Sequence, residues 1–104
     1  MNTLYPIFIK AHQLQFLIVG GGYVALEKLE FLYKSSPEAQ VTMVAPFVRK
    51  ETLAFIQDKP VNLILKKYRR RHLKNKNIVI ATTDQPEVNL QVNRDCKKRN
   101  ILVN

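Results

Sequence analysis

The chain has 104 residues and a formal net charge of +9, and 46% of its residues are hydrophobic and 24% charged. These values are ordinary for a folded globular domain and exclude a disordered tail. The excess of Lys and Arg favours an anionic partner, whether a nucleic acid, an acidic lipid or a phosphorylated or polycarboxylate ligand, without choosing among them. We expect a single domain over residues 1–104.

The one cysteine, Cys96, excludes an intrachain disulfide and a zinc cluster built from thiolates. It follows Val88 and Val92 at intervals of four, which favours a buried helix face and a structural thiol over a reactive one. The N-terminal "MNTLYPIFIKAHQ" lacks the pattern of a secretory signal, and no apolar run approaches the ~20 residues of a membrane helix. We therefore expect a soluble, cytoplasmic protein without a membrane partner.

Short apolar runs and helical patterns alternate along the chain. The first run, "YPIFIK", contains Pro6 and predicts an edge strand or an extended lead-in. The second, "LQFLIVG", predicts a strand that is covered on both faces. Residues 23–34 then predict a helix that ends in "SSPE", because the residue before Pro37 disfavours helical geometry. The apolar stripe of this helix consists of Val24, Ala25, Leu26, Leu29, Leu32 and Tyr33.

The second half of the chain continues the alternation. Further strands are predicted in "QVTMVAP", "PVNLILKKY", "KNIVIATT" and "ILV". "FVRKETLAFIQDK" predicts a second helix that can bury Val48, Leu53, Phe55 and Ile56. "DQPEVNLQVNRDCKKRN" predicts a third helix, with Pro86 in its first turn and Asp84 placed as its cap. This order predicts an α/β fold, a Rossmann-like doubly wound parallel sheet of about five strands with helices on both faces.

All three glycines of the chain stand together in "FLIVGGGYVALEKLEFL", between the buried strand and the first helix. Gly20, Gly22 and Ala25 fill the dinucleotide pattern G-x-G-x-x-G/A in the strand and helix context that it requires. Gly20 would make the tight turn, Gly22 would let a diphosphate approach the backbone, and Ala25 would keep the helix close to the sheet. Amide groups at the helix start would bind the diphosphate. The alternative is a tight turn without a ligand.

The end of the second strand lacks one part of this dinucleotide pattern. An Asp or Glu is expected there to bind the adenosine ribose, but the strand ends in Ala45 and Pro46. Arg49 and Lys50 follow and would accommodate a 2′-phosphate, although a solvated helix start is the favoured interpretation. The choice between NAD and NADP stays open on these residues.

Several segments together resemble the N-terminal module of siroheme synthase, the precorrin-2 dehydrogenase/sirohydrochlorin ferrochelatase family. The triple glycine followed by "YVALEK", and "ATTDQPEVN" after the fourth strand, make the resemblance more specific than a Rossmann pattern alone. It spans essentially the whole chain. The segments are "LYPIFIKAHQLQFLIVGGGYVALEKLEFL", "VTMVAP", "IVIATTDQPEVNLQV" and "ILVN".

The resemblance implies an NAD-dependent oxidation of precorrin-2 to sirohydrochlorin and, in many members, insertion of ferrous iron by a homodimeric enzyme. Asn89 and Asn104 match polar positions of the family motifs. For Asp84, capping of the third helix is an equal alternative to a ligand role. The implied cofactor contacts are Gly20, Gly22, Tyr23 and Val24 at the diphosphate, Pro46 and Phe47 at the adenosine, and Thr82, Thr83 and Asp84 at the nicotinamide half.

The sequence departs from the family pattern at its end. In the family, an aspartate that serves both reactions follows the fifth strand, and this chain ends at Asn104 before that position. We therefore expect the cofactor-binding part of a longer enzyme, inactive by itself, with the dimerisation region downstream. We assign no catalytic residue and no metal ligand, and Asp58, Asp84 and Asp95 do not replace the family aspartate.

A strongly basic run, "KKYRRRHLKNK" at residues 66–76, is the main competing signal. It would bind nucleic acid with Tyr68 and His72 as stacking groups, but no nucleic-acid motif accompanies it. A solvated loop or short helix is the favoured interpretation, and we expect no nucleic-acid partner. Within the family resemblance, the run would also attract the carboxylates of precorrin-2.

Two further classes of function use the same half of the Rossmann fold. One is a regulatory domain that senses a nucleotide without catalysis, and the other is a methyltransferase that binds S-adenosylmethionine at the glycine loop. His12 and His72 are too isolated to indicate a metal site, and no Ser-His-Asp or Cys-His arrangement stands out.

Overall fold

The computed structural model describes residues 14–104, so the predicted lead strand around Pro6 lies outside the described residues. The remaining predicted elements are all present. In chain order they are β1 (Gln15–Val19), α1 (Tyr23–Ser35), β2 (Gln40–Val44), α2 (Lys50–Ile56), β3 (Val61–Ile64), a short 3-10 helix (Arg70–Leu73), β4 (Ile78–Ala81), α3 (Pro86–Lys98) and β5 (Leu102–Val103).

The five strands form one parallel sheet in the order β3-β2-β1-β4-β5. The chain runs outward from β1 through β2 to β3, and then crosses back to place β4 on the other side of β1. This reversal of direction creates a switch point beside the carboxyl end of β1, where ligands of doubly wound sheets bind. The predicted Rossmann-like α/β fold is confirmed.

The sheet is covered on both faces, as the apolar sequence of β1 predicts. Phe16 and Ile18 point to one face, where they pack with α1 and α2, while Leu17 and Val19 point to the other, where they pack with the 3-10 helix and α3. The register that pairs Ile18 with Met43 and with Ile80 keeps these two faces consistent across the sheet. Two separate cores therefore hold the sheet between its helices.

Two predicted core residues are exposed instead. Val24 is 47% exposed and Leu53 is 42% exposed. Val24 lies in the first turn of α1, whose buried residues, Ala25, Leu29 and Tyr33, lie on another face of the helix. On α2, Thr52 and Ile56 face the core, which turns Leu53 toward solvent. Within residues 14–104, no helix is long and apolar enough to span a membrane.

Candidate functional site

A cleft of about 840 Å³ lies at the carboxyl end of the sheet, beside the switch point. Its volume is in the range of about 300–1,000 Å³ that is common for small-molecule sites. The cleft brings together every residue that was predicted to contact a cofactor. These residues are Gly20, Gly22, Tyr23, Val24, Pro46, Phe47, Thr82, Thr83 and Asp84.

The three glycines at the base of the cleft are there for different physical reasons. Gly20 has φ +123°, and a Cβ on it would lie 2.3 Å from Oγ1 of Thr82, so both conformation and packing exclude a side chain. A Cβ on Gly21 would lie 2.6 Å from the carbonyl oxygen of Phe47. Neither glycine therefore needs a ligand to explain it.

Gly22 differs from both of its neighbours. It has extended backbone angles that other residues adopt, φ −94° and ψ −156°. A Cβ on Gly22 would meet only Cδ of Arg49, at 4.0 Å. Since neither backbone conformation nor protein packing requires glycine here, the space above Gly22 is open toward the cleft. This is the position at which the dinucleotide pattern keeps the backbone accessible to a diphosphate.

Helix α1 begins at the cleft without a side chain that caps it. Gly22 is its N-cap, no side-chain hydrogen bond satisfies the first amides, and the first turn carries no acidic residue. The positive end of the helix dipole and these amides therefore face the cleft, an arrangement that favours a bound anion. Ala25 is fully buried, so α1 packs closely against the sheet as predicted.

The side of the cleft that follows β2 is apolar at its rim. Ala45 is buried after β2, whereas Phe47 is 73% exposed and Tyr23 is 54% exposed. Large apolar side chains that remain exposed beside a cleft indicate a binding surface. Arg49 departs from the expected solvated helix start, because its guanidinium turns back over the Tyr23 ring, while Lys50 is exposed as expected.

The opposite wall is the loop between β4 and α3, which Asn89 holds in place. The Asn89 side chain accepts a hydrogen bond from the Thr83 amide at 3.2 Å and donates one to the Thr83 carbonyl at 2.9 Å. The Thr83 hydroxyl lies 2.6 Å from Oδ1 of Asn89. Thr82 is 7% exposed, and its hydroxyl donates to the Val19 carbonyl. Thr82 therefore shapes the wall, with its hydroxyl already engaged.

The predicted capping role of Asp84 is wrong. The N-cap of α3 is Gln85, with no side-chain cap, and the Gln85 amide donates to the Thr83 hydroxyl oxygen. Pro86 at the first helical position removes one amide that would otherwise need a partner. Asp84 is exposed and lines the cleft.

Lys67 and Tyr68 are among the lining residues that sequence reasoning missed, and they enter the cleft from the basic segment, residues 66–76. As expected, this segment is a connection with a short helix, and most of its cationic side chains are exposed. Tyr68 is half-buried, and its hydroxyl donates to the Asp95 carboxylate at 2.8 Å. The sequence of the basic segment shows its charge, but it does not show the hydrogen bond of Tyr68, because the acceptor, Asp95, lies on α3.

Burial shifts the pKa of two titratable side chains, Cys96 and His72. Burial raises the pKa of Cys96, which is fully buried on α3 in line with the predicted structural role. Burial also lowers the pKa of His72, with the positive charges of Arg71, Lys66 and Lys76 acting in the same direction. Among residues 14–104, no three His, Cys, Asp or Glu side chains cluster as metal ligands.

Comparison with protein families places the chain among nucleotide-binding domains. A family model described as "Putative NAD(P)-binding" matches residues 7–104. The chain is 40% identical over 104 residues to siroheme synthase from Psychrobacter sp. (strain PRwf-1), covering 100% of this chain and 21% of the relative. It is 40% identical over 99 residues to siroheme synthase from Pseudoalteromonas translucida (strain TAC 125), covering 95% of this chain and 20% of the relative. The chain thus spans about a fifth of the length of these relatives.

A solved structure gives the same result. The structure of SirC, precorrin-2 dehydrogenase, matches with a TM-score of 0.70 and 27% sequence identity, covering 86% of this chain and 43% of that chain. The resemblance to the siroheme synthase module and the expectation of NAD as the cofactor are confirmed by these matches. The chain belongs to the NAD(P)-binding family, as a homologue of the NAD-binding part of siroheme synthase.

Proposed function

We propose that the chain is the NAD-binding part of an oxidoreductase that converts precorrin-2 to sirohydrochlorin. The names of its relatives support this proposal, because one is a siroheme synthase and another a precorrin-2 dehydrogenase. NAD supplies the acceptor of a hydride in such an oxidation. The residues of this chain bind and orient that cofactor.

The open space above Gly22 is the observation that carries the proposal. A strand-to-helix turn without a ligand would tolerate a side chain at this position, since a Cβ would meet only Cδ of Arg49 at 4.0 Å. A bound diphosphate, in contrast, requires that the backbone remain bare so that the first amides of α1 reach its oxygens. A bound dinucleotide therefore explains the open space above Gly22 better than a tight turn without a ligand does.

The cleft residues take three roles in this proposal. Gly20, Gly22, Tyr23 and Val24 surround the diphosphate at the start of α1. Pro46 and Phe47 cover the adenosine, for which their exposed apolar surface is suited. Thr82, Thr83 and Asp84 border the nicotinamide half, where Asn89 fixes the backbone of Thr83. None of these residues is assigned as a catalytic group or a metal ligand.

The finer parts of the proposal come from the family resemblance. The full enzyme would act on precorrin-2 as a homodimer and would take ferrous iron as a second substrate for siroheme. The positive charge of the chain, +9 overall, is compatible with a polycarboxylate substrate.

Calorimetric titration with NAD tests the proposal through two substitutions at one position. Gly22→Ser supplies a good N-cap, so the melting temperature should stay the same or rise, while NAD affinity should fall at least about tenfold. Gly22→Ala tests the steric effect without a hydroxyl. Ala54→Ser adds the same hydroxyl on the exposed surface of α2 and should leave NAD affinity unchanged, with only the small loss of stability that Ser causes inside a helix.

Titration together with an activity assay distinguishes the competing functions. Tight binding of S-adenosylmethionine alone in the titration would indicate the methyltransferase. Binding of NAD, with no NADH formed when the full-length enzyme is given precorrin-2, would indicate a sensor. Unchanged NAD affinity in Gly22→Ser would contradict the proposed position of the diphosphate.

A further inference from the structure

The basic segment, residues 66–76, runs from the cleft end of the sheet to its opposite end. It leaves the carboxyl end of β3, where Lys67 lines the cleft. It returns to the amino end of β4, where the Asn77 amide donates a 2.9 Å hydrogen bond to the Gln15 carbonyl. Because the strands are parallel, the first cations of the segment lie beside the cleft, and Lys74 lies toward the far edge of the sheet.

Two contacts fix the course of the basic segment between these ends. Leu73 is 1% exposed and belongs to the same core as Val92 and Cys96 of α3. The Tyr68 hydroxyl donates a 2.8 Å hydrogen bond to the Asp95 carboxylate on the same helix. The backbone that carries the cations is therefore held against α3 and has a defined position at the cleft.

The positive charge of the basic segment is not neutralised by ion pairs. The segment contains seven Lys or Arg residues and no acidic residue, and six of the seven are exposed. The ion pairs within residues 14–104 join Arg49 to Glu51 and Lys59 to Asp58, so none of them involves the segment. Its cations therefore keep their hydrogen-bond donors for an anionic ligand.

The charged residues that line the cleft favour one orientation of such a ligand. Lys67 follows β3, whereas the acidic residues Asp84 and Glu87 lie before α3 and in its first turn. Three strand spacings, about 14 Å in all, separate β3 from β4, which leads into α3. A ligand with several carboxylates is attracted at the first position and repelled at the second.

The proposed substrate matches this arrangement of charge. A tetrapyrrole carries its carboxylates around the rim of a wide macrocycle, so one that reacts at the nicotinamide half extends side chains across the cleft. The diphosphate of NAD is proposed to bind the amides of α1 instead, so the cofactor leaves Lys67 available.

We infer that the cleft end of the basic segment, with Lys67 as its lining cation, binds carboxylates of the tetrapyrrole substrate. Tyr68 positions this end of the segment through its hydrogen bond to Asp95. The inference deepens the proposed function and rests on it for the identity of the substrate.

The test compares two substitutions that remove the same charge from opposite ends of the segment. Lys67→Gln removes the lining cation, and Lys74→Gln removes an exposed cation toward the far edge. In the full-length enzyme, Lys67→Gln should raise the KM for precorrin-2 about tenfold. Titration without NAD should show a similar loss of affinity for sirohydrochlorin, the product. The kcat, the KM for NAD and all values of Lys74→Gln should stay within about twofold of the wild type.

Three outcomes would overturn the inference and leave the proposed function intact. The first is an equal rise of the KM for precorrin-2 in both variants, because overall charge would then explain it. The second is a loss of NAD affinity in Lys67→Gln as large as the loss for sirohydrochlorin, which would place Lys67 at the cofactor. The third is an unchanged KM for precorrin-2 in Lys67→Gln. A wild-type enzyme that forms no NADH from precorrin-2 would overturn the proposed function and the inference together.

A nucleic acid is the other partner that an unpaired basic surface fits. Binding of a short single-stranded RNA at about 150 mM salt, weakened alike by both substitutions and without any binding of sirohydrochlorin, would overturn the inference. Binding of sirohydrochlorin that weakens with added salt and is not displaced by the RNA would support it.

Discussion

The Tyr68 hydroxyl donates a 2.8 Å hydrogen bond to Oδ2 of Asp95 and so ties the basic segment to α3. Asp95 is 2% exposed, and its other oxygen accepts a hydrogen bond from Nε2 of Gln91 at 2.9 Å. Burial raises the pKa of Tyr68, and the hydrogen bond to the Asp95 carboxylate adds to this effect. The hydroxyl therefore keeps its proton at neutral pH, and Tyr68 holds one wall of the cleft in place.

Tyr68→Phe should lower the free energy of unfolding by about 1–3 kcal/mol, because it leaves the buried carboxylate of Asp95 with one partner fewer. Urea denaturation measures this quantity. Tyr23→Phe removes a hydroxyl from an exposed tyrosine and should cost less than about 0.5 kcal/mol. In an Asp95→Ala background the Tyr68 substitution should cost much less, and an equal cost would contradict a direct coupling of the two residues.

Asn89→Ala should weaken both the fold and cofactor binding. The substitution removes the side chain that pairs with the amide and the carbonyl of Thr83, so the loop after β4 loses its defined shape. We expect a loss of about 1–3 kcal/mol in stability and a drop in NAD affinity at ligand concentrations where the protein remains folded. Thermal denaturation and calorimetric titration give the two values.

Asn93→Ala provides the matched control for Asn89. Asn93 lies one turn further along α3 and is half-buried. Its substitution by Ala removes the same chemical group from the same helix. NAD affinity should stay at the wild-type value in this variant. Similar losses in Asn89→Ala and Asn93→Ala would indicate that the effect comes from α3 as a whole.

The local features of the fold were predictable from the sequence because each depends on neighbouring residues. A continuous apolar run at residues 16–19 specifies a strand buried on both faces, and the intervals of four between Val88, Val92 and Cys96 specify one buried helix face. The glycine junction likewise lies directly between the strand and the helix that the dinucleotide pattern requires, so neighbouring residues were enough to predict it. These patterns were sufficient for the parallel sheet, whereas the nine residues that meet in the cleft were named from the resemblance to the siroheme synthase module.

Features that depend on contacts between distant elements were not predictable in this way. Asp84 was a reasonable cap by spacing, but the loop is held by Asn89 instead, which leaves Asp84 free to face the cleft. The roles of Gly21 and of Tyr68 depend on Phe47 and Asp95, which lie 26 and 27 positions further along the chain and meet them only in the fold.

Cys96 should react slowly with thiol reagents in the native protein. It is fully buried between α3 and the sheet, and burial raises the pKa of its thiol, so both access and thiolate content are low. Labelling with a thiol-specific reagent should proceed at the rate of structural opening and should become fast in denaturant. Native labelling as fast as that of the unfolded chain would contradict the buried position of this residue.

The stability of the protein should fall as the pH decreases through the titration range of His72. Nδ1 of His72 accepts a 2.9 Å hydrogen bond from the Arg69 amide, which requires the neutral ring. Burial lowers the pKa of His72, and nearby Arg and Lys charges act in the same sense. The unfolded chain, with a His pKa of about 6.5, therefore binds more protons than the native protein, and the free energy of unfolding decreases below that pH by at most about 1.4 kcal/mol per pH unit.

His72→Asn keeps an acceptor in a comparable position but does not titrate, so the stability of this variant should vary less between about pH 7.5 and 5.5. Urea denaturation of both proteins across this interval measures the difference, from which the contribution of His12 cancels because both chains contain it. Parallel pH profiles for the two proteins would show that the ring of His72 titrates in the same way in the folded and unfolded states.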